Sequence, residues 1–199
     1  MGVYLGIFST GKYDSYEENN YPDSNVFSNV SILKELYELF NSELVILWNA
    51  VLLKKRIFVL CDQIPKLYLT IRSLPQLCFH RKDLSILRPL IRNDAESLED
   101  LKTAGGFIAG SSDISLLNKN DLYDVLVNLN DHRIVVSTNS VEEMKMNSVH
   151  KELAALLKAC SEAGGNSQEF VKTISSKTND TISQLKALSN GNELTEDIL

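Results

Sequence analysis

The first regular pattern of apolar side chains begins at Ile32, from where they recur every three or four residues, as on one face of an α-helix. Asn29 or Ser31 is the expected N-cap of this helix. A second apolar run covers 44–53 and is interrupted only by Asn49. It is too short to span a bilayer as a helix, which takes roughly 17–25 residues. The two patterns therefore predict an amphipathic helix followed by a buried one.

After residue 55 the pattern changes to short aliphatic runs separated by helical segments. Strands are predicted over 56–60, 85–91, 107–109, 123–129 and 133–137. Further helices are predicted over 66–73, 94–102, 142–160 and 168–188. Asn130-Asp131-His132 joins the last two strands and is typical of a tight hairpin. Strands alternating with helices predict an α/β fold, with a central sheet flanked by helices and followed by a mostly helical segment.

On this pattern the chain divides into four parts. Residues 1–30 are polar and rich in turn-forming residues, and we expect a linker there. Residues 31–140 are the predicted α/β core, and 141–188 the helical segment downstream of it. Residues 189–199 are the expected flexible tail.

Charge and cysteine usage narrow the class of protein. Twenty Lys and Arg stand against 26 Asp and Glu, a formal net charge of −6. An acidic chain lacks the broad basic surface that nucleic-acid binding needs, and it has no general attraction to anionic membrane. Cys61, Cys78 and Cys160 have no metal-ligand spacing and are expected to be reduced. The opening MGVYLGIF lacks the basic segment of a secretory signal. We therefore expect a cytoplasmic protein with no nucleic-acid partner and no transmembrane segment.

The sequence carries no recognisable catalytic, cofactor-binding or metal-binding motif. Gly105–Gly110 is rich in glycine but lacks the following Lys of a phosphate-binding loop, and it precedes a strand rather than a helix. Gly110–Asp113 contains serines in the wrong frame for a nucleophile elbow. A triad built around His80, His132 or His150 stays open as a less favoured alternative, and a zinc site is less favoured still. We expect no catalytic residue, cofactor or metal.

The densest charge cluster is Lys54-Lys55-Arg56, and His80-Arg81-Lys82 is a second basic segment. One interpretation is a contact for an acidic partner surface or for phosphoinositide headgroups. The other is a solvated helix end whose cations complement the helix dipole before the chain enters a strand. The sequence alone favours the second interpretation.

Four ordered stretches resemble the DENN module, a family of exchange factors for Rab GTPases. They are LLKKRIFVL at 52–60, SLPQLCFHRKDLSIL at 73–87, GGFIAGSSD at 105–113 and NDLYDVLVNLN at 120–130. The segment MKMNSVHKEL at 144–153 extends the resemblance beyond the core. The order of these stretches is that of the family's core lobe, in which an apolar helix enters a strand through a basic step.

The resemblance implies that the chain promotes GDP release from a Rab GTPase and makes or breaks no covalent bond. It is similar to the late-endosomal branch of the family, which implies peripheral association with late endosomes and a role in their positioning, in endosomal trafficking and in secretion. DENN modules begin with a longin lobe, so residues 1–30 are expected to be at most the remnant of that lobe. The module would then be incomplete in this chain.

No short family motif marks the residues that contact the GTPase. Our prediction for the partner-binding residues is Lys54, Lys55, Arg56 and His80, whereas Gly106, Tyr123 and Asp124 are expected to serve the fold. An alternative function is a non-catalytic adaptor subunit of an endosomal retrieval complex. A third possibility, an α/β enzyme acting on a small molecule, requires a polar pocket where His80 or His132 meets a carboxylate or a thiol.

Overall fold

The computed structural model describes residues 31–78 and 84–188. Within them a five-stranded sheet has the order β2-β3-β1-β4-β5. The strands are β1 (Arg56–Leu60), β2 (Leu87–Arg88), β3 (Phe107–Ser111), β4 (Val125–Asn128) and β5 (Arg133–Val136). The first four are parallel, and β5 pairs antiparallel with β4 through the predicted hairpin. The predicted α/β class is confirmed.

Six α-helices accompany the sheet in the described part of the chain. They are α1 (Leu33–Phe40), α2 (Leu44–Leu52), α3 (Ile64–Ser73), α4 (Ala95–Thr103), α5 (Ser148–Glu162) and α6 (Ser167–Leu188). Three 3₁₀ turns lie at Asn41–Glu43, Leu74–Cys78 and Ile114–Asn118. Pro65 stands in the first turn of α3, where its missing N–H leaves no hydrogen bond unmade. Asp94 caps α4 by accepting a hydrogen bond from the Ser97 N–H.

The three central strands β3, β1 and β4 are buried on both faces, and their alternate residues face two separate clusters. Ile57 and Val59 of β1 point into the larger cluster, which α1, α2, α3, α5 and α6 share. Phe58 and Leu60 point into a smaller cluster with Leu98 of α4. Burial on both faces explains why β1 reads as an unbroken apolar run instead of an alternating one.

Several element boundaries differ from the sequence prediction, among them those of β2, α5 and α1. β2 has only two residues, because Pro89 has no N–H to continue the ladder. α5 begins at Ser148 instead of residue 142, because the Asn147 side chain accepts from the His150 N–H and fixes the start of the helix. The N-cap of α1 is Ile32, without a side-chain hydrogen bond, instead of Asn29 or Ser31.

The C-terminal helices pack against the helices that precede the sheet. The ring of Tyr37 in α1 lies 5.2 Å from that of Phe170 in α6, measured between centroids. Trp48 of α2, predicted to be core, is 2% exposed and donates its indole N–H to Thr178 Oγ1 of α6 at 2.8 Å. Residues 141–188 therefore share one hydrophobic cluster with α1 and α2. The division of the chain at residue 140 stays a prediction.

Candidate protein-binding surface

At the amino ends of the parallel strands, Arg56 and Asp124 tie β1 to β4. The Arg56 guanidinium donates to both carboxylate oxygens of Asp124, from Nη2 at 3.0 Å and from Nε at 3.3 Å. The Arg56 backbone N–H donates to the same carboxylate at 2.9 Å, and the Asp124 N–H donates back to the Arg56 carbonyl at 2.9 Å. Four hydrogen bonds between two residues make this pair a structural joint.

The Asp124 carboxylate has a further partner in Ser140, whose hydroxyl donates to Oδ1 at 3.1 Å. Burial raises the pKa of Asp124, but the hydrogen bonds from Arg56 and Ser140 and the charge of Arg56 outweigh it, so this pKa lies below its ordinary value. Asp124 is therefore held ionised, and it serves the fold, as the sequence suggested.

The basic step, Lys54-Lys55-Arg56, lies at this same amino end, where β1 begins. Lys55 forms an ion pair with Glu143, and Lys54 is exposed with a left-handed backbone, φ 52°. A Cβ on Gly106 would overlap the Lys54 carbonyl oxygen, which explains the glycine where β3 begins. His80 lies outside the described residues, so the structure does not bring it together with the other three. The prediction that these four residues contact a partner stays a prediction.

At the opposite, carboxyl end of the sheet, aliphatic and aromatic side chains are exposed. Because β2, β3 and β1 are adjacent and parallel, the loops that leave them emerge at one end. Each loop presents one large apolar side chain: Leu90 after β2, Ile114 after β3 and Ile64 after β1, with Tyr68 one turn further along α3. We call these four residues the carboxyl-end surface. Ile114, at 62% exposed, is the most exposed large hydrophobic side chain in the described part of the chain.

The apolar side chains of α3 differ in how far the sheet covers them. Leu67 and Ile71 are buried against the sheet, at 0% and 1% exposed. Ile64, at the first position of α3, and Tyr68, one turn later at the edge of the same face, are 41% and 42% exposed. A Cβ on Gly110 of β3 would overlap the tip of Ile71, so the absence of a side chain at Gly110 lets α3 lie close to the sheet.

Hydrogen bonds hold two of the three loops together. The Ile91 N–H donates to the Gly110 carbonyl at 2.6 Å, and the Ser111 hydroxyl donates to the Ile91 carbonyl at 2.8 Å. Asn93 Nδ2 donates to the Ser115 hydroxyl at 2.8 Å. These hydrogen bonds connect the loop that carries Leu90 to the end of β3 and to the turn that carries Ile114. The backbone that presents these two exposed side chains is therefore ordered. A surface that is already ordered loses less conformational entropy when a protein binds it.

Candidate metal-binding side chains are not grouped in the described part of the chain, and its two described histidines lie on different elements. In 31–78 and 84–188, no three His, Cys, Asp or Glu side chains are grouped so as to hold a metal ion. The same ranges contain no helix with the length and hydropathy needed to cross a membrane. His132 is exposed in the hairpin, and His150 is buried at the start of α5. An open groove of about 450 Å³ runs between α1 and α5, lined by Tyr37 and Lys158 among others, and neither histidine lines it.

Sequence reasoning missed the carboxyl-end surface and singled out the basic step. Leu90 falls inside the predicted strand 85–91, Ile64 begins α3 and Ile114 begins a 3₁₀ turn, so no sequence pattern marks these residues as exposed. What relates them is their position, since each follows a parallel strand of the structure by two to four residues. Loops at the carboxyl ends of parallel strands are where α/β sheets generally bind their ligands.

Comparison with known proteins identifies relatives along nearly the whole chain. The model of the family described as DENN domain-containing protein 11 matches residues 9–139. DENN domain-containing protein 10 of Danio rerio is 39% identical over 193 residues, which cover 94% of this chain and 55% of that protein. The proteins of that name in Dictyostelium discoideum and Homo sapiens are each 32% identical, over 96% and 95% of this chain and 54% of their own length.

The chain therefore spans about half the length of the curated relatives that it matches. The family model covers most of this chain, and it includes all five strands of the sheet. The sequence match and the α/β architecture agree: the chain belongs to the DENN domain protein family.

Proposed function

We propose that this chain is the α/β lobe of an exchange factor for a Rab-type GTPase, acting at late endosomes in endosomal trafficking and secretion. The match of the DENN family model to residues 9–139 carries the proposal, because DENN modules are generally Rab exchange modules. The geometry is compatible with this role, since exchange requires a shaped protein surface and no acid, base or metal.

The mechanism is one of linked binding equilibria. A factor that binds the nucleotide-free GTPase better than the GDP-bound form weakens GDP binding by the same factor. A thousandfold effect requires about 4 kcal/mol of difference in contact energy between the two forms. A few well-placed apolar side chains supply energy of this size, because fully burying one of them contributes about 1.5–3 kcal/mol.

We further propose that the carboxyl-end surface contacts the GTPase. Exposed apolar side chains on an ordered base are what protein interfaces use as anchors. Ile64, Tyr68, Leu90 and Ile114 meet this description, and none of them belongs to the two hydrophobic clusters. Lys54, Lys55, Arg56 and His80 remain the competing proposal for the contact. Arg56 is unsuitable for a binding test, because any change at this position breaks the joint with Asp124.

Release of fluorescent GDP from a panel of late-endosomal and secretory Rab GTPases tests the function. It is measured with the 199-residue chain and with a version that also carries the longin lobe expected of the family. Acceleration by either protein on at least one Rab supports the proposal. If neither accelerates release, while binding to endosomal proteins is the same in GDP, GTP and nucleotide-free conditions, the chain is an adaptor and the exchange function is wrong.

A further inference from the structure

A buried histidine lies where α2, α5 and α6 meet. His150 is 7% exposed, and its ring stands against Trp48 of α2, with centroids 5.7 Å apart and planes at 76°. Trp48 in turn donates its indole N–H to Thr178 of α6. On the other side of α2, Asn49 donates to the Glu143 carbonyl at 3.4 Å. His150 therefore belongs to a cluster of contacts, formed with Trp48 and Thr178, that joins α5 and α6 to α2.

His150 Nδ1 faces both the backbone N–H and the side-chain oxygen of Asn147, and it accepts from the N–H in the tautomer that carries the ring proton on Nε2. The Asn147 backbone N–H donates to His150 Nδ1 at 3.0 Å, so Nδ1 acts as an acceptor. In return the Asn147 side chain accepts from the His150 N–H at 3.2 Å, which completes a capping box at the start of α5. The neutral ring then carries its proton on Nε2, which is buried without a hydrogen-bond partner.

Adding a proton to this ring disrupts the cluster in two ways. A protonated Nδ1 no longer accepts from the Asn147 N–H, so one bond of the capping box is lost. The protonated Nδ1 donates to Asn147 Oδ1 at 2.7 Å instead, an oxygen that also accepts from the His150 N–H, so the loss is partly offset. The ring also acquires a positive charge where it is screened from water, beside an Nε2–H that has no acceptor.

The charged side chains on the surrounding elements are largely paired with one another. α2 carries none. In the turn before α5, Glu143 pairs with Lys55, and Lys145 pairs with Glu142. On α5 and α6, Glu152 pairs with Lys177. Lys158 of α5 pairs with Glu162. Lys151 of α5 and the remaining charges of α6, which are Glu169, Lys172, Asp180 and Lys186, complete the set. Burial alone lowers the pKa of His150, with no carboxylate to oppose it.

We propose that His150 is a proton-sensitive latch that holds α5 and α6 on α2 when neutral and loosens them when it is protonated. The direction follows from linkage. The pKa of His150 is lower in the folded protein than in the unfolded chain, so the unfolded chain binds the proton more tightly. The stabilisation is complete above the unfolded value of about 6.5 and declines as the pH falls below it. Loosening uncovers the apolar faces of α5 and α6, including Leu153, Phe170 and Ile174.

The single tryptophan of the chain, Trp48, reports on the latch directly. We would titrate its fluorescence and the amide hydrogen exchange of α5 and α6 between about pH 7.5 and about pH 5.5 in the 199-residue protein. The expected result is a one-proton change in Trp48 emission with a midpoint below about 6.5, and α5–α6 exchange about tenfold faster at the acidic end after correction for the intrinsic rate. His150→Gln should remove both changes, whereas His132→Gln, at an exposed histidine, should keep them.

A measurement on the unaltered protein covers the case in which His150→Gln fails to fold. The ring NMR signals of His150 give its protonation state at each pH. Helix exchange that rises in step with His150 protonation supports the latch. Protonation of His150 with no change in α5–α6 exchange overturns it, and so does an identical pH response in the His150→Gln variant.

Discussion

The two ends of the sheet present their side chains in opposite ways. At the amino end, charged groups are turned inward onto one another: Arg56 joins Asp124, and Lys55 joins Glu143. At the carboxyl end, apolar side chains are turned outward, with Ile64 and Ile114 on loops that leave neighbouring strands. The contrast teaches that a charge cluster in a sequence indicates a binding site only after its internal partners have been counted.

The difference has a physical cause in the chain connections. At the amino end the segments that enter β1 and β3 lie close together. A Cβ on Gly106 would overlap the Lys54 carbonyl oxygen. Polar groups there are partly removed from water and must be paired. At the carboxyl end the loops lead away from the sheet to helices on its two faces, so their tips stay in solvent. The amino end therefore stabilises the fold, and the carboxyl end is available to a partner.

The largest loss of stability at the amino end is expected from a substitution of Gly106. In Gly106→Ala the new Cβ overlaps the Lys54 carbonyl oxygen, a backbone atom that cannot move without shifting the start of β1. We expect the free energy of unfolding to fall by about 3 kcal/mol, measured by urea denaturation. Gly105→Ala is the matched control, because a Cβ there meets nothing within 4 Å. Equal stability losses in the two variants would contradict the close approach.

The next largest loss of stability is expected when the joint between Arg56 and Asp124 is broken. Asp124→Ala leaves the Arg56 guanidinium and its backbone N–H without their acceptor, and we expect a loss of about 2–3 kcal/mol in unfolding free energy. Asp121→Ala is the control: its carboxylate is exposed and lies 3.6 Å from Lys102, a surface pair that contributes about 0–1 kcal/mol. A loss at Asp124 no greater than at Asp121 would mean that the joint does not stabilise the amino end.

At the carboxyl end the expected effect is on binding and not on stability. Ile114→Asp places a charge on the most exposed side chain of the surface, and we expect Rab affinity to fall about tenfold or more with the unfolding free energy unchanged to about 0.5 kcal/mol. Leu156→Asp is the control, because Leu156 is also an exposed aliphatic residue, at 46%, but lies on α5. Affinity is measured by titrating the nucleotide-free GTPase. The same loss of affinity in both variants would point to a non-specific effect of charge.

The smallest expected effect is on the unfolding free energy in acid, to which the Asp124 carboxylate contributes. Its folded pKa is lowered, so the stabilisation is present above the unfolded value of about 3.9 and is lost as the pH falls through the folded value. Asp124→Asn removes this group from the titration. The unfolding free energy of the variant, followed by denaturation at each pH, should decline less steeply below about pH 4 than that of the original chain. An unchanged acid limb would show that Asp124 does not titrate differently in the two states.

Much of the fold follows from local sequence, and the proposed binding surface does not. The unbroken run Arg56–Leu60 and the hairpin at Asn130-Asp131-His132 are readable because burial and turn chemistry act on neighbouring residues. The joint between Arg56 and Asp124 is not readable, because these residues are 68 positions apart and meet only when β4 pairs with β1. The exposure of Ile114 is equally hidden, since it depends on what the rest of the fold leaves uncovered.

The most direct test of the account is GDP release from the responsive Rab, measured side by side with variants at the two ends of the sheet. The protein is the version that carries the expected longin lobe. The variants are Ile64→Asp with Ile114→Asp at the carboxyl end, and Lys54→Glu at the amino end. We predict that the carboxyl-end variant loses the acceleration while keeping its unfolding midpoint, and that Lys54→Glu accelerates release as the original does. Normal acceleration by the carboxyl-end variant, with loss in Lys54→Glu, would contradict the account and place the contact at the basic step.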